Sequence, residues 1–207
     1  MQHVDVGDTP RPGRPRDPEI EDRVFDAAID IYSRVGWAGF NFETVTRATG
    51  VGKAAIYRRW PARADLLAAA LDARWGTVGD IDTGTLRGDL LGLVEFFSVR
   101  LTGSFGSVPI QISTDRLHFP EARQATDAHR NAEIRAGRQI VRRAVARGEL
   151  PADTRPSLII DLVVGAMQNH VLSTPPSLRA EMMASLPGFG EDLVDTVLRG
   201  VSAKDPG

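Results

Sequence analysis

Gly50-Val51-Gly52-Lys53-Ala54-Ala55-Ile56-Tyr57-Arg58-Arg59-Trp60-Pro61 is the stretch that decides the fold. A tight glycine-containing turn opens it, a short helical run from Lys53 to Arg59 follows, and Pro61 closes it. Upstream, Asn41 can cap a second short helix, Phe42 to Thr49, which Gly50 ends. Before that, Asp17 as a cap and Pro18 at the first helical position start a longer helix, with Glu19 and Glu21 facing its positive dipole end. Ile20, Val24, Ala27, Ala28, Ile31 and Val35 then recur at three- and four-residue spacing until Gly36 stops the stripe. Two short helices joined by a glycine turn and preceded by a longer one make a helix-turn-helix pattern.

Outward from this head the chain continues to read as helical. Sustained period-two alternation with β-branched enrichment is absent, so a sheet is not expected. Leu66, Leu67, Ala70 and Leu71 open a fourth helix running from Ala64 to Trp75, and glycines and aspartates from Gly76 to Gly84 break the pattern. Helices are expected over 85–102, 120–147 and 156–172, with an irregular Gly/Ser/Pro stretch at 103–109 and a short segment ending at His118. Two final helices are expected at 177–185 and 189–201. The fold class is therefore all-α in three parts: a flexible basic arm at 1–16, a helix-turn-helix domain with its connecting fourth helix at 17–75, and a second helical domain at 84–207.

Composition excludes several classes. The chain has 207 residues, 42% hydrophobic and 25% charged, which is ordinary for a globular protein and rules out wholesale disorder. No apolar run approaches the ~20 residues that a membrane-spanning helix needs. The polar N-terminus has no apolar leader core, so a cytoplasmic protein is expected. Cysteine is absent, which removes disulfides, thiolate metal sites and cysteine nucleophiles. His3, His118, His129 and His170 lack ligand-pair spacing, so neither a metal nor a cofactor is expected. Gly52-Lys53 resembles the end of a phosphate-binding loop, but Arg47 stands at the position of the first glycine and Ala54 replaces the needed hydroxyl. With no nucleophile elbow and no acid/base pair either, the chain does not read as an enzyme.

The net charge of −2 hides an uneven distribution. Arg11, Arg14 and Arg16 carry no acid between them. From Asn41 to Arg63, Arg47, Lys53, Arg58, Arg59 and Arg63 are opposed by Glu43 alone. The acids of the head (Asp17, Glu19, Glu21, Asp22, Asp26 and Asp30) fall between these clusters. A near-neutral average thus leaves room for a focused positive face. A helix that begins with Gly52 and Lys53 can enter the major groove with few obstructing side chains. Lys53 can meet a phosphate or a guanine edge, and Ala54 and Ala55 allow close approach or a thymine-methyl contact. Tyr57 can set its hydroxyl on a phosphate, Arg47 and Arg58 can bracket the backbone, and Arg14 and Arg16 can reach phosphates or the neighbouring minor groove. Asn41, Phe42, Gly52 and Arg63 complete the expected DNA-facing set, while Val45, Ile56, Trp60 and Leu67 read as core.

These residues resemble the recognition-helix signature of the tetracycline-repressor (TetR) family of bacterial transcription regulators. Arg14-Pro15-Arg16, Ala27-Ala28, Gly36 and Val45 match upstream, and Arg63 and Leu66-Leu67 match downstream, so the likeness covers Arg14 to Leu67. It departs at Gly52, where the family usually has a small hydroxyl residue, at Thr46, where alanine is common, and at Asn41, where threonine is common. The resemblance implies a dimeric, ligand-responsive regulator bound to double-stranded operator DNA. It is read first as a repressor on a palindromic operator, released by a small and largely apolar effector. An activator or co-repressor-dependent regulator is the alternative, and a helical enzyme or interaction module on this fold is a third reading.

In the body, the segment Leu158 to Met167 is apolar all round and must be covered on more than one side. Together with the stripe through Leu193 and Val197 it would form a four-helix dimer interface, as in the resembled family, and Leu158, Leu162, Leu193 and Val197 are its expected contacts. Phe97, Leu101 and Phe105 could wall an effector cavity, with Gln111, Arg116, Gln168 and Asn169 supplying polar contacts. The arginines from Arg123 to Arg147 scatter round a helix among Glu121, Asp127, Glu133 and Glu149, and read as a solvated face.

Overall fold

The computed structural model describes residues 18–76, 78–79 and 81–202. The arm at 1–16, with Arg14 and Arg16, and the Asp17 cap lie outside the described residues. Among the described residues the chain forms nine α-helices and one 3-10 turn, and no strand. The head contains α1 (Pro18–Gly39), α2 (Phe42–Thr49), α3 (Lys53–Arg59) and α4 (Arg63–Arg74). The body contains α5 (Leu86–Thr102), α6 (Val108–His118), α7 (Pro120–Ala146), α8 (Pro156–Ser173), the 3-10 turn Pro176–Leu178 and α9 (Arg179–Ser202). No helix among the described residues is long and apolar enough to cross a membrane.

The Gly36 stop signal is a break inside α1. Gly36 adopts φ 61° and ψ −169°, a region essentially reserved for glycine, and the chain resumes a helical turn to Gly39. Just beyond it the Trp37 N–H donates to the buried Asp115 carboxylate of α6 at 2.8 Å. A Cβ on Gly36 would stand 2.3 Å from Gln111 Nε2 and 3.3 Å from Asp115 Oδ2, so glycine is required here by space as well as by backbone.

Two apolar cores result. The first is built on Tyr32, Trp37, Phe40, Ile56, Leu66 and Leu67, and is closed by Val108 and Ile112 of α6 and Ala122 and Ala125 of α7. The head is thus roofed by the body. The second packs α5, the C-terminal half of α7, α8 and α9 around residues such as Leu90, Ile140, Val163 and Val194. The start of α5 is pinned by polar contacts. Thr85 accepts from the Gly88 N–H at 3.1 Å, Glu149 accepts the Leu86 N–H at 2.7 Å, and the fully buried Asp89 accepts from Thr83 and Arg147.

Two expectations need correction. The segment before His118 is a regular helix, α6, with Pro109 in its first turn, where a missing N–H does no harm. The pair of final helices is one helix, α9, which continues through Pro187. An interior proline costs about 3 kcal/mol, but Met182 and Leu186 before it and Val194 and Val197 after it are buried in the same core, which holds both halves on one line.

Replacing Gly36 and Gly50 by alanine should have unequal effects. Both adopt positive φ, but only Gly36 would bring a Cβ against a neighbour. Gly50→Ala should lower the unfolding free energy by about 1–2 kcal/mol, and Gly36→Ala by more. Urea denaturation measures both, and equal losses would contradict the packing described for Gly36.

Candidate nucleic-acid interface and body cavity

Local capping sets the geometry of α2 and α3. Asn41 accepts the Thr44 N–H at 2.9 Å, and the Thr44 hydroxyl donates to the Asn41 carbonyl at 2.7 Å. Gly50, at φ 70°, closes α2 by donating its N–H to the Thr46 carbonyl. Val45, Val51 and Ile56 anchor the two helices inward. This turns Gly52, Lys53, Ala54, Tyr57 and Arg58 to the outside. The Tyr57 ring meets Phe42 edge-on at 4.5 Å, and Lys53 Nζ lies 5.6 Å from the Tyr57 ring centre. Gly52 caps α3 without a side-chain bond, and open space surrounds it, so the small hydroxyl residue usual in the resembled family would fit.

The basic residues of the head divide into free and committed sets. Lys53 and Arg58 are exposed and have no acidic partner among the described residues. Arg47 pairs with Glu43 at 3.4 Å in full exposure, a contact of little energetic weight. Asn41 is exposed and Ala55 half-buried against the core. Phe42, expected to face DNA, is instead buried and acts as the shelf under Tyr57. Arg63 is also turned inward: it donates to the Trp37 and Phe40 carbonyls at 3.0 and 2.9 Å and stacks on the Trp37 ring at 4.2 Å. Three acids of α1 are tied within the head, Asp22 and Asp26 by Arg74 at 2.7 and 2.6 Å and Glu21 by Arg59 at 3.3 Å.

A cavity of about 110 Å³ lies among α5, α6, α7 and α8. Leu93, Phe97, Ile112, Ile160 and Val164 supply apolar wall, and Gln168 lines it too. Of the expected effector residues, Phe97 and Gln168 line this cavity and the others do not. Leu101 is fully buried in the second core, and Phe105 packs on the first. Gln111 faces α1 and donates to Asp115 at 3.1 Å. Arg116 pairs with Asp127 at 2.7 Å, and Asn169 is exposed, accepting from Ser173. The rotation of α6 explains part of this, since Gln111 and Asp115 serve the head while Ile112 reaches the cavity.

One polar cluster on the cavity wall joins residues that are far apart in the sequence. Arg100 of α5 pairs with Glu133 of α7 and comes within 3.1 Å of His129 Nε2. His129 Nδ1 lies 3.4 Å from Asp72 of α4, and the Arg100 guanidinium lies 4.4 Å from the Trp75 ring centre at the end of α4. Burial lowers the Arg100 pKa against the pull of Glu133. Burial pushes the Glu133 carboxyl up, but the His129 hydrogen bond and the Arg100 charge outweigh it and hold it below its ordinary value. The i, i+4 spacing of His129 and Glu133, and a lone arginine between Phe97 and Leu101, were the available signals. Elsewhere on α8, Leu158 and Leu162 are exposed at 48% and 47%, while Leu193 of α9 is half-buried and Val197 faces its own core.

An all-helical chain with a capped α2–turn–α3 unit, an exposed basic face on α3 and a cavity in its body is a helix-turn-helix protein with the build of a DNA-binding regulator. Comparison with known families agrees. Residues 24–70 match the model described as bacterial regulatory proteins, tetR family, and residues 80–187 match that of the tetracyclin repressor-like C-terminal domain. A DNA-binding transcriptional repressor TetR of Mycobacteroides abscessus is 32% identical, over 70% of this chain and 78% of its own. The HTH-type transcriptional regulator AqdR of Rhodococcus erythropolis is 29% identical, over 86% and 85%. Among solved structures, the Bacillus subtilis regulator FadR in complex with stearoyl-CoA has a TM-score of 0.69 at 16% identity, covering 87% of this chain and 98% of its own. A TetR regulator of Chloroflexus aurantiacus has a TM-score of 0.64 at 19% identity, covering 88% and 95%. The chain belongs to the TetR family of DNA-binding transcriptional regulators.

The inward position of Arg63 sets a separate test. Arg63→Ala removes two charge-assisted bonds and the Trp37 stack, and should destabilise the protein by about 2–4 kcal/mol. Urea unfolding reads this directly. A variant of unchanged stability that no longer bound DNA would instead assign Arg63 to the DNA face.

Proposed function

We propose that this chain is a dimeric repressor that reads a near-palindromic operator with α3 and is released from it by a small molecule held in the body cavity. The carrying observation is the exposed, acid-free row of Lys53, Tyr57 and Arg58, with Tyr57 braced on Phe42. On DNA, Lys53 meets a phosphate or a guanine edge, Tyr57 and Arg58 meet phosphates, and Gly52, Ala54 and Ala55 let the helix approach the bases closely. Asn41 and Arg47 flank the contact from α2, and Arg14 and Arg16 extend it along the backbone. The M. abscessus relative, named as a repressor, supports the sign of regulation.

The exposed Leu158 and Leu162 support a reading in which α8 is the principal dimer face, with α9 beside it. Two heads spaced by about one turn of DNA then match a two-fold operator. In this reading residues 17–75 form the DNA-binding unit and 84–207 the effector-binding and dimerisation unit. Two routes join cavity and head. On α6, Ile112 lines the cavity while Gln111 and Asp115 hold the α1 break. On α4, Asp72 and Trp75 touch His129 and Arg100 on the cavity wall. An occupant that prefers one arrangement of these contacts shifts the population of head positions by its differential affinity.

Lys53→Ala combined with Tyr57→Ala tests the interface. On the palindromic DNA flanking its own gene, anisotropy should show about 100-fold weaker binding, with the salt slope shallower by about one for each phosphate the variant no longer touches. Unchanged affinity and slope would remove α3 from the interface. Adding an effector to the wild-type complex gives the sign: release supports a repressor, and tightening supports co-repressor action.

A further inference from the structure

Arg100 stands where the cavity wall meets α4. Its side chain is about nine-tenths buried, with 10% exposed. Even with Glu133, His129 and Trp75 around it, its Nε is a buried donor without a hydrogen-bond acceptor among the described residues. The acceptor side is already used, because the Glu133 carboxylate takes Arg100 and lies 3.5 Å from His129 Nε2. The unmet demand at this end of the cavity is thus for an acceptor, and a charged donor is best met by an anion. Arg130, also on the lining, is exposed and has no acidic partner among the described residues. Asp161 is the opposing acid on the lining, and it is solvent-exposed, where water screens it.

The rest of the wall is mainly apolar, through Leu93, Phe97, Ile112, Ile160 and Val164. At about 110 Å³ the cavity is of the order of those that hold a single ring. We propose that it binds a small monocarboxylate with a compact apolar body, an aryl or short-chain acid, whose carboxylate takes Arg100 in competition with Glu133. Seating the anion on Arg100 also disturbs the two contacts that hold α4, Arg100 on Trp75 and His129 on Asp72. This link to DNA release rests on the effector reading above, whereas the carboxylate site does not.

Calorimetry on the full chain tests it with benzoate, phenylacetate and hexanoate, each against its neutral amide and against phenethylamine as a cation. The acids should bind at least about tenfold tighter than the amides, a difference of one charge-assisted contact. Glu133→Gln, which removes the competitor, should tighten the acids about tenfold and leave the amides unchanged. Should that variant fail to fold, Arg100→Gln with Glu133→Gln, neutral on both sides, should abolish the preference for acid over amide. Equal binding of acid and amide, no binding of any acid, or a preference for the amine overturns the proposal. Acid binding that leaves operator affinity unchanged supports the carboxylate site and removes the effector reading alone.

Discussion

Asp115 is buried on α6, and its carboxylate is held by the Trp37 N–H at 2.8 Å and the Gln111 amide at 3.1 Å. The first of these donors exists because Gly36 breaks α1 with a left-handed backbone and leaves the next N–H free of helix bonding. A buried carboxylate stripped of such donors would be strongly destabilising, so the contact fixes α6 against the break in α1. Burial, with Asp115 beside it, also pushes the Tyr32 hydroxyl far above its ordinary pKa and keeps that ring neutral in the same core. From this point the head core is roofed by α6 and α7, and α6, which lines the cavity through Ile112, is attached to α1.

The electrostatics of the head follow from how its charges are partnered. Three acids of α1 are neutralised by arginines of the head: Asp22 and Asp26 are held by Arg74, and Glu21 by Arg59. Arg63 is committed to two backbone carbonyls and an indole face. What remains unpaired on α3 is Lys53 and Arg58, with Tyr57 between them. The chain's average charge of −2 is therefore compatible with a local surface suited to phosphate.

The head was legible in the sequence because its boundaries are set locally. Asn41, Gly50, Pro61 and the stripe ending at Gly36 act over a few residues, and α2 and α3 follow from them. Phe42 and Arg63 fit a DNA face by residue type, while their inward directions depend on packing with Tyr57 and Trp37. The cavity was mostly illegible for a related reason. Arg100 meets His129 and Glu133 across sequence separations of 29 and 33 residues, joined only where α5 packs on α7. Periodicity could select Phe97 and Gln168 but not the rotation of α6 that sends Gln111 to the head. The unbroken α9 is a tertiary override: core packing on both sides outweighs the local penalty of Pro187.

In the proposed mechanism, occupation of the body cavity changes the spacing of two heads in a dimer. The chain has no cysteine, so a single Ala48→Cys on the exposed surface of α2 gives one spin-label site per protomer. Pulsed dipolar spectroscopy then reads the distance between heads directly. One defined distance is expected in the free dimer, retained on operator DNA and shifted by a few Å when an acid saturates the cavity. A distance that stays fixed while the acid is bound, or the absence of any inter-head distance, would contradict it.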